Sequence, residues 1–461
     1  MESVASATAA QAMRTICWSP NGPVGVKTEA QSDRKGLSTQ RTSRKRHSKL
    51  GLEFFLKKMG RLVWILSTLT IAWLGAKWKP ILEEAGIFRK VANFNNQKCS
   101  AIEGLEACED IFIDHSSSLA YLACSHRHLR PHWIPALDIF EPEKLPSRSD
   151  DYIAILDLKT LQHHRLELEN LPDRILKKGI HLHSLDLFIH PQTNPELSDD
   201  APRKATLYFV NHQVPLSTLT LPVVADSVVE VFDTVIGDLK ATYRTTVTDG
   251  LIITPNNLIA LSESSFYVTN DHSSKNHWKR KFQPFIKESA HNSIVYCEFN
   301  DQSRCIGALI ADYSFPNGIV KGPGSSIYMA NTVHAHLRSF EIRPNHTLKL
   351  IGEVKLPRAV DNLYVSHSGS VFLASIPKLL TFKDMCLNPK TSIPSEVWKV
   401  FNKTEKSSFS AETVKIEKIF GDDGQKVNGA TGVAVWGSKL LLTGICSFSV
   451  TICEVEKELL I

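Results

Sequence analysis

The sequence predicts an all-β fold, a six-bladed β-propeller with an N-terminal hydrophobic anchor helix. From residue 95 to 461, short runs rich in Val, Ile, Leu, Phe and Tyr are separated by Gly, Asn, Asp, Ser and Pro, which is typical of strands and turns. One phrase also repeats loosely: an apolar strand, a polar turn that often contains Ser, and a second apolar strand that ends in small residues. Its copies are "DIFIDHSSSLAYLACS", "NNLIALSESSFYVTND", "NGIVKGPGSSIYMANT", "DNLYVSHSGSVFLASI" and "GVAVWGSKLLLTGICS".

The spacing of these copies indicates how many blades the domain contains. A pair of such strands about every 50–70 residues is typical of propeller blades. About 360 residues at roughly 60 per blade give six blades. A generic array of β-sandwiches is the alternative, but sandwiches have no reason to repeat a turn.

The composition is that of a globular protein, and its positive charge is confined to one end. Of the 461 residues, 43% are hydrophobic and 22% are charged, so a sizeable core can form. Residues 1–61 hold 12 Lys and Arg against 4 Asp and Glu, whereas the whole chain has a net charge of +5. The other 400 residues therefore carry a net charge of about −3, which disfavours nucleic-acid binding by the main domain.

The N-terminal region is predicted to consist of an arm and a membrane anchor. Residues 1–58, which include the cluster "RTSRKRHSK", are predicted to be a disordered basic arm. Residues 59–80 are predicted to be a transmembrane signal-anchor helix, in which Leu62–Ala76 is a run of 15 residues without a charge. A membrane-spanning helix needs about 20 residues, but flanking Lys and Arg side chains can reach the interface. Three tryptophans are placed as an aromatic belt would place them: Trp64, Trp73 and Trp78.

The charges around this segment predict its orientation. Because they lie on its N-terminal side, we expect a single-pass type II protein, anchored to the membrane through this segment. The propeller would then lie in the lumen of the secretory pathway or outside the cell. The alternatives are a cleaved signal peptide and a helix that packs on the domain.

The cysteines and glycosylation sequons fit an oxidising compartment. The chain has nine cysteines and no CxxC or zinc-type spacing. Cys99 and Cys453 lie near opposite ends of the main domain, so a bridge between them would close a very long loop. Asn345 and Asn402 begin N-glycosylation tripeptides.

Polar residues recur at one position of the repeated phrase and predict a cation site. We expect them on the innermost strands, which line the central tunnel of a propeller. Carboxylate and carboxamide oxygens are the ligands that Ca²⁺ prefers. The alternative is that these residues only form turns. The residues are Glu109 and Asp110, Asn256 and Asn257, Asn317, and Asp361 and Asn362.

A family resemblance supports this interpretation between Cys99 and Cys453. In order, the motifs are "CSAIEGLEACEDI", "FVNH", "NNLIALSESSFYVTNDH", "FPNGIV", "AVDNLYV" and "TICEV". They resemble the serum paraoxonase/arylesterase family, whose members are six-bladed propeller hydrolases with two calcium ions in the central tunnel. The resemblance implies that residues 95–461 are a hydrolase domain and that two Ca²⁺ ions bind, one catalytic and one structural.

The resemblance also implies which residues bind each ion. The catalytic calcium would be held by Glu109, Asn256, Asn317, Asp361 and Asn362. The structural calcium would be held by Asp110, Asn257 and the main-chain carbonyl of Leu185. Asn257 departs from the family, which has Asp there, so we expect the structural ion to bind more weakly.

Two histidines match the proton-transfer pair of the family. His183 in "IHLHSLDLF" takes the place of the catalytic base, and His212 in "FVNH" is its partner. His181 is the rival if the alignment shifts. Where one family member has a free Cys followed by His, this chain has Ser375 and Ile376, so substrate preference is expected to differ.

The resemblance implies a disulfide between Cys99 and Cys453, which would join the first blade to the last. Two further local pairs are open, and the sequence does not decide them: Cys297 with Cys305, and Cys108 with Cys124.

These residues predict a calcium-dependent hydrolase of lactones and/or aryl esters. The ion would polarise the substrate carbonyl, while His183, near its ordinary pKa, would take a proton from water and His212 would relay it. No GxSxG motif supports an acyl-enzyme at Ser. Two alternatives stay open: a non-catalytic, calcium-stabilised propeller that binds a partner through its tunnel face, and a condensing propeller like strictosidine synthase.

Overall fold

Six sheets arranged around a central tunnel make up the main part of the molecule, and we number them as blades 1 to 6 from the sheet that begins at Asp110. In each blade, strands that follow one another in the chain pair antiparallel. The computed structural model describes residues 39–146, 151–192, 202–215, 223–283, 291–300, 303–311, 315–388, 390–402 and 414–460.

The strands of each blade run in chain order from the tunnel outward, except at the outer edges of blades 2 and 6. Blades 1 to 3 contain Asp110–Asp114, Leu119–Cys124, Tyr152–Asp157 and His163–Arg165; Leu182–Ile189, Lys204–Gln213, Asp226–Val235 and Lys240–Val247; and Pro255–Ala260, Ser265–Asn270, His291–Phe299 and Ser303–Ala311. Blades 4 to 6 contain Pro316–Lys321, Ser326–Asn331, His336–Ile342 and Leu348–Lys355; Ala359–Val365, Val371–Ile376, Ser395–Asn402 and Val414–Asp422; and Gly432–Trp436, Lys439–Thr443, Val450–Glu454 and Cys99–Ile102. Blade 2 has a fifth, parallel edge strand, Glu167–Glu169.

The ring closes in blade 6, where the first strand of the domain pairs with the last. Cys99–Ile102 lies antiparallel to Val450–Glu454, with Cys99 opposite Cys453, and the two cysteines form a disulfide. The innermost strand of each blade contacts those of both neighbouring blades, and blade 6 contacts blade 1. The predicted six-bladed propeller and its end-to-end disulfide are therefore confirmed.

Apolar clusters between neighbouring blades hold the ring together. In one of them, Tyr121 and Ile153 of blade 1 pack against Leu207 and Phe209 of blade 2. Middle strands such as Leu119–Cys124 are buried on both faces, which is why they read as unbroken apolar runs instead of alternating patterns. Burying each large apolar side chain stabilises the fold by about 1.5–3 kcal/mol.

Four innermost strands carry a β-bulge where the sequence predicted the site residues. In blades 2 to 5, two residues of the innermost strand lie opposite a single residue of the second strand. A bulge re-aims side chains and increases the local twist. The bulged pairs are His183 and Ser184, Asn256 and Asn257, Asn317 and Gly318, and Asp361 and Asn362. Only glycine fits at 318, because a Cβ there would lie 2.7 Å from the Cα of Asn362.

The described helices are few, and one includes the predicted anchor. They are α1 Thr39–Glu84, α2 Asp173–Lys178, α3 His277–Phe282 and α4 Phe382–Leu387. Within the described part of the chain, no helix combines the length and the apolar character that a membrane crossing requires. The predicted membrane-spanning anchor is thus not supported, because charged residues interrupt the apolar stretch at Arg61 and Lys77.

The predicted arm is only partly covered by the structure. Residues 1–38 lie outside the described residues, and helix α1 includes 39–58, the rest of the predicted disordered arm. The type II topology stays a prediction.

Four disulfides join the eight cysteines that the structure describes. Besides the ring-closing bridge, they are Cys108–Cys124, Cys297–Cys305 and Cys386–Cys446. The first two are the local pairs that the sequence left open, and the third was not predicted. Cys17 lies outside the described residues.

The two sequons lie in blades 4 and 5. Asn345 is exposed in the turn between the two outer strands of blade 4, which is accessible to modification. Asn402 ends a strand of blade 5, and the rest of its tripeptide lies outside the described residues. Glycosylation stays a prediction.

Candidate active site in the central tunnel

The polar residues predicted to bind calcium come together where the innermost strands meet. All seven of their side chains are less than a tenth exposed. Asn257 Nδ2 donates to Asp110 Oδ2 (3.1 Å) and to Asn362 Oδ1 (2.8 Å), and Asn362 Nδ2 lies 3.4 Å from Glu109 Oε1. Residues of blades 1, 3 and 5 are therefore joined directly across the tunnel.

Blade 6 contributes a residue that the sequence analysis missed. The Thr431 hydroxyl donates to Glu109 Oε2 (2.6 Å) and fixes the orientation of this carboxylate. Thr431 stands immediately before "GVAVWGSK", the sixth-blade copy of the repeated phrase. Its place in the repeat was thus the available signal, although a hydroxyl is a weaker indication of a cation site than a carboxylate.

Three carboxyl groups at this place have strongly raised pKa values. Burial, and then the charge of Asp361, raises the pKa of Glu109 well above its ordinary value. Burial likewise raises the pKa of Asp361 to about 8 and that of Asp110 to about 7. In the absence of a cation, like charges that are buried together disfavour ionisation, so the cluster has the electrostatic character of a cation site.

Unsatisfied oxygens provide a separate test of whether a hard cation fits. Among the residues that the structure describes, Asn256 Oδ1, Asn317 Oδ1 and Asp361 Oδ1 are buried and accept no hydrogen bond. A buried acceptor without a partner is costly, and coordination to a cation removes that cost. Since every donor in the set is an oxygen, the residues fit Ca²⁺ better than a transition metal.

Two cavities adjoin the predicted ligands. At two places along the chain, one residue lines the first cavity and the next residue lines the second. A cavity of about 510 Å³ is lined by the first member of three pairs: Glu109, Asn256 and Asp361. A second cavity of about 420 Å³ is lined by Asp110 and Asn257, the next residues along two of these strands. The named residues of the first cavity were predicted as ligands of the catalytic ion and those of the second as ligands of the structural ion, whereas Asn362, predicted for the catalytic ion, is not part of the lining of either cavity.

The second cavity also contains Leu185, whose carbonyl was predicted as a ligand. Its backbone N–H donates to Asp110 Oδ2 (3.3 Å). The adjacent Asp186 lines the same cavity, and burial raises the pKa of its carboxyl to about 6. Sequence reasoning did not identify Asp186.

The 510 Å³ cavity, which we call the substrate cavity, has a polar floor and apolar walls. His183 and Asn317 join the ligands at its floor. The walls come from blades 4 to 6 and from Ala136 and Leu137, which lie in the connection of a short two-stranded sheet, Trp133–Ile134 with Ile139–Phe140. Apolar wall residues include Leu137, Leu356, Ile376, Leu379, Phe382 and Ile445. The cavity is thus suited to a largely apolar molecule with one polar group at the floor.

The two predicted histidines are neighbours. Their ring centroids lie 5.0 Å apart in a T-shaped arrangement, and His212 Nδ1 hydrogen-bonds the Ser227 hydroxyl (2.8 Å). Both ring nitrogens of His183 and the Nε2 of His212 are buried without a partner among the described residues. The rival His181 lies outside the lining of the substrate cavity, with its ring centroid 5.9 Å from that of Trp133.

The expectation that His183 has an ordinary pKa was wrong. Burial, with a smaller contribution from the charge of Arg130, lowers its pKa to about 4. Burial and the neighbouring His183 lower the pKa of His212 well below its ordinary value. Both rings are therefore neutral at neutral pH, which leaves them able to accept a proton.

An ionised carboxylate that the sequence analysis missed faces this pair. Asp271 is buried and lines the substrate cavity. Burial alone would raise its pKa, but the charge of His272 and a hydrogen bond from His272 Nδ1 (2.7 Å) lower it to about 2. The charge of Asp271 favours the protonated forms of His183 and His212. Its position as the last residue of the blade 3 copy of the phrase, in "TNDH", was the signal.

A second group of possible metal ligands lies away from the tunnel residues. Glu106, His126 and His128 bring three ligand atoms within 4.8 Å of one another, and His128 is exposed. This group shares no residue with the predicted calcium ligands.

Comparison with known proteins assigns the family. The model of the Arylesterase family matches residues 200–455. The chain is 24% identical to rat serum paraoxonase/arylesterase 1 over 360 residues, which cover 77% of this chain and 88% of the relative. It is also 24% identical to rabbit serum paraoxonase/lactonase 3, covering 81% and 93%, and to human serum paraoxonase/arylesterase 2, covering 83% and 97%. The fold and the site define a propeller hydrolase that acts on ester bonds. The chain belongs to the arylesterase family.

Proposed function

We propose that this protein is a calcium-dependent hydrolase of lactones and/or aryl esters. The observation that carries the proposal is the floor of the substrate cavity. There, buried oxygens of Asn256, Asn317 and Asp361 without hydrogen-bond partners line the same cavity as His183, beneath apolar walls. The ring of His212 packs against that of His183 but lies outside the lining of this cavity. The names of the relatives, which include arylesterases and a lactonase, support the same substrate classes.

The residues divide into two ligand sets for two calcium ions. Glu109, Asn256, Asn317, Asp361 and Asn362 would hold the catalytic ion, and Asp110, Asn257 and the Leu185 carbonyl would hold the structural one. When bound, the catalytic ion supplies positive charge that polarises a carbonyl oxygen and stabilises the oxyanion that develops from it.

His183 accepts the proton of the attacking water. Its neutral ring lines the substrate cavity, and both ring nitrogens are without a partner among the described residues. Burial lowers its pKa to about 4 and makes it a weak base, and the charge of Asp271 partly offsets this effect. His212 Nε2 is the adjacent acceptor, since its Nδ1 is already bonded to Ser227. The Asp271 carboxylate stabilises the imidazolium form of either ring.

The test is hydrolysis of phenyl acetate and of an aromatic lactone by the full-length chain. Each substrate is measured with calcium, with EGTA, and with the variant His183→Gln in calcium. The matched control is His181→Gln, because His181 is equally buried two residues earlier but lies outside the cavity lining.

The proposal requires that activity disappears with EGTA and falls about 10²-fold or more in His183→Gln, while His181→Gln stays within a few fold of wild type. If the folded chain binds calcium but hydrolyses neither substrate, the result favours the alternative, a calcium-stabilised propeller that binds a partner through its tunnel face, or a substrate outside these two classes.

We also propose that the domain matures in the secretory pathway or outside the cell. Four disulfides among the described residues, each with both cysteines deeply buried or in paired strands, support an oxidising compartment. Glycosylation at Asn345, which is exposed, would be detected as a mass shift that an N-glycosidase removes. A chain that carries free thiols at these eight positions in the cell would contradict the proposed compartment.

A further inference from the structure

Two separate segments form one side of the substrate cavity. The first, here called the rim helix, is residues 379–387, which comprise a 3₁₀ turn and helix α4. The second, here called the rim loop, is residues 444–449 between two strands of blade 6. Leu379, Leu380 and Phe382 of the rim helix and Ile445 of the rim loop line the cavity.

A disulfide joins the two segments beside the cavity. Cys386 ends the last turn of the rim helix, Cys446 follows the wall residue Ile445, and both cysteines are almost fully buried. They belong to the same apolar cluster as the wall residues Phe382, Ile376 and Ile445. A change at the disulfide is therefore a change in the packing of the wall itself.

The rim helix needs this support. Helix α4 has only six residues, and helices much shorter than about 12 residues are marginal without tertiary contacts. Leu387 is 49% exposed, and even the wall residue Leu380 is 56% exposed, so these two side chains contribute little packing to the segment. Lys383 Nζ bonds to the Leu137 carbonyl (2.6 Å), which ties the rim helix to the small sheet but not to the rim loop.

The rim loop has its own attachments to the site. The Ile445 N–H donates to the Thr431 hydroxyl (3.2 Å), which in turn donates to Glu109. The Ser447 hydroxyl donates to the Asn428 carbonyl (2.6 Å). Because these bonds do not involve the disulfide, the floor of the cavity keeps its support when the disulfide is removed, and the rim helix is the part that loosens.

We propose that the Cys386–Cys446 disulfide determines substrate selectivity by holding the apolar wall in place. The inference rests on the proposed esterase function and concerns which esters the site prefers. A long acyl chain must lie along the wall, whereas an acetyl group reaches only the floor. The disulfide therefore favours esters with extended apolar acyl groups over small ones.

The experiment compares two disulfide-free variants of the full-length chain. Cys386→Ser/Cys446→Ser removes the proposed element. Cys297→Ser/Cys305→Ser is the matched control, because this bridge joins directly opposed residues of two outer strands of blade 3 and lies outside the cavity lining. The measured quantity is the ratio of kcat/KM for phenyl octanoate to kcat/KM for phenyl acetate, with kcat and KM resolved separately.

We expect the ratio to fall about tenfold in Cys386→Ser/Cys446→Ser, mainly through KM for the octanoate, which corresponds to lost contact with about two methylene groups. The control should keep the wild-type ratio. Amide hydrogen exchange should become faster in residues 379–387 of the first variant only. An unchanged ratio, or an equal fall in both variants, overturns the proposal.

Two further arrangements keep the test decisive. If the double variant does not fold, the ratio is measured on partly reduced wild-type protein in which alkylation and mass spectrometry locate the opened bridge. If wild-type protein hydrolyses neither these esters nor the aromatic lactone, the proposed function fails. The inference is then tested by calorimetry with octanophenone, a non-hydrolysable analogue of the long-chain ester. Its affinity should fall in Cys386→Ser/Cys446→Ser and stay unchanged in the control variant.

Discussion

Removing the ring-closing disulfide should destabilise the propeller more than removing any other described bridge. The Cys99–Cys453 bridge spans 354 residues, and the Cys297–Cys305 bridge spans 8. A disulfide limits the conformations of the unfolded chain, and this effect grows as 1.5RT times the logarithm of the loop length. The variant Cys99→Ser/Cys453→Ser should therefore lose about 6 kcal/mol of unfolding free energy, against about 2.5 kcal/mol for Cys297→Ser/Cys305→Ser.

The difference between the two losses of unfolding free energy, about 3.4 kcal/mol, is better determined than either loss. The constant part of the loop-closure entropy is the same for both bridges and cancels. The structure gives a reason to expect the full effect, since only four residue pairs join Cys99–Ile102 to the neighbouring strand. The assay is equilibrium unfolding in urea, with saturating calcium and with the other bridges kept oxidised. Hydrogen exchange in Val450–Glu454 reports local opening of the ring. Equal losses in the two variants would refute the reasoning, because loop length would then not control stability.

Three other predictions concern charge. In EGTA, the thermal midpoint should fall, and it should be lower at pH 8 than at pH 6. The folded-state pKa values of Asp110 (about 7) and Asp361 (about 8) exceed those of the unfolded chain, so folding binds protons in this range, and calcium should remove the pH dependence. Asn257→Asp should bind the structural calcium about tenfold more tightly by titration calorimetry, yet melt at a lower temperature in EGTA. Asp114→Asn should destabilise the fold at pH 7 but not near pH 2. Although burial raises the Asp114 pKa, bonds from Arg203 lower it overall, so its stabilising effect is lost as pH falls through the lowered value; unfolding at several pH values measures this.

The repeated phrase predicted five of the six blades directly. The remaining blade, blade 2, followed only from dividing the length of the domain by the typical length of a blade. The repeated phrase covers the two innermost strands of blades 1, 3, 4, 5 and 6. In blade 2, the corresponding strands are Leu182–Ile189 and Lys204–Gln213, and the long connection between them replaces the short Ser-containing turn. A pattern that depends on a local turn cannot identify a blade whose turn has been lengthened.

The sequence predicted those site residues whose type indicates a cation ligand and whose position in the repeated phrase recurs in several blades. Carboxylates and carboxamides at one phase of the phrase were identified, because their residue types indicate a cation ligand. Asp271 and Thr431 were missed although each lies at or next to one end of a copy of the phrase, because that place alone does not indicate a role in the site. The pairing of Cys386 with Cys446 was missed because tertiary packing brings these two residues together. The pKa of His183 was wrongly expected to be ordinary for the same reason: burial depends on neighbours distant in sequence.

The bulges explain how one propeller can hold two different sites on the same strands. The bulge at Asn256 and Asn257 directs successive residues to different parts of the tunnel: Asn256 lines the substrate cavity, whereas Asn257 lines the other cavity. A carboxamide in place of a carboxylate at position 257 lowers the negative charge around Asp110, to which Asn257 donates, and Asn257 also donates to Asn362, which belongs to the other predicted ligand set. The two proposed calcium sites are therefore coupled through this side chain, so a change of charge at position 257 should affect Asp110 of the structural set and Asn362 of the catalytic set together.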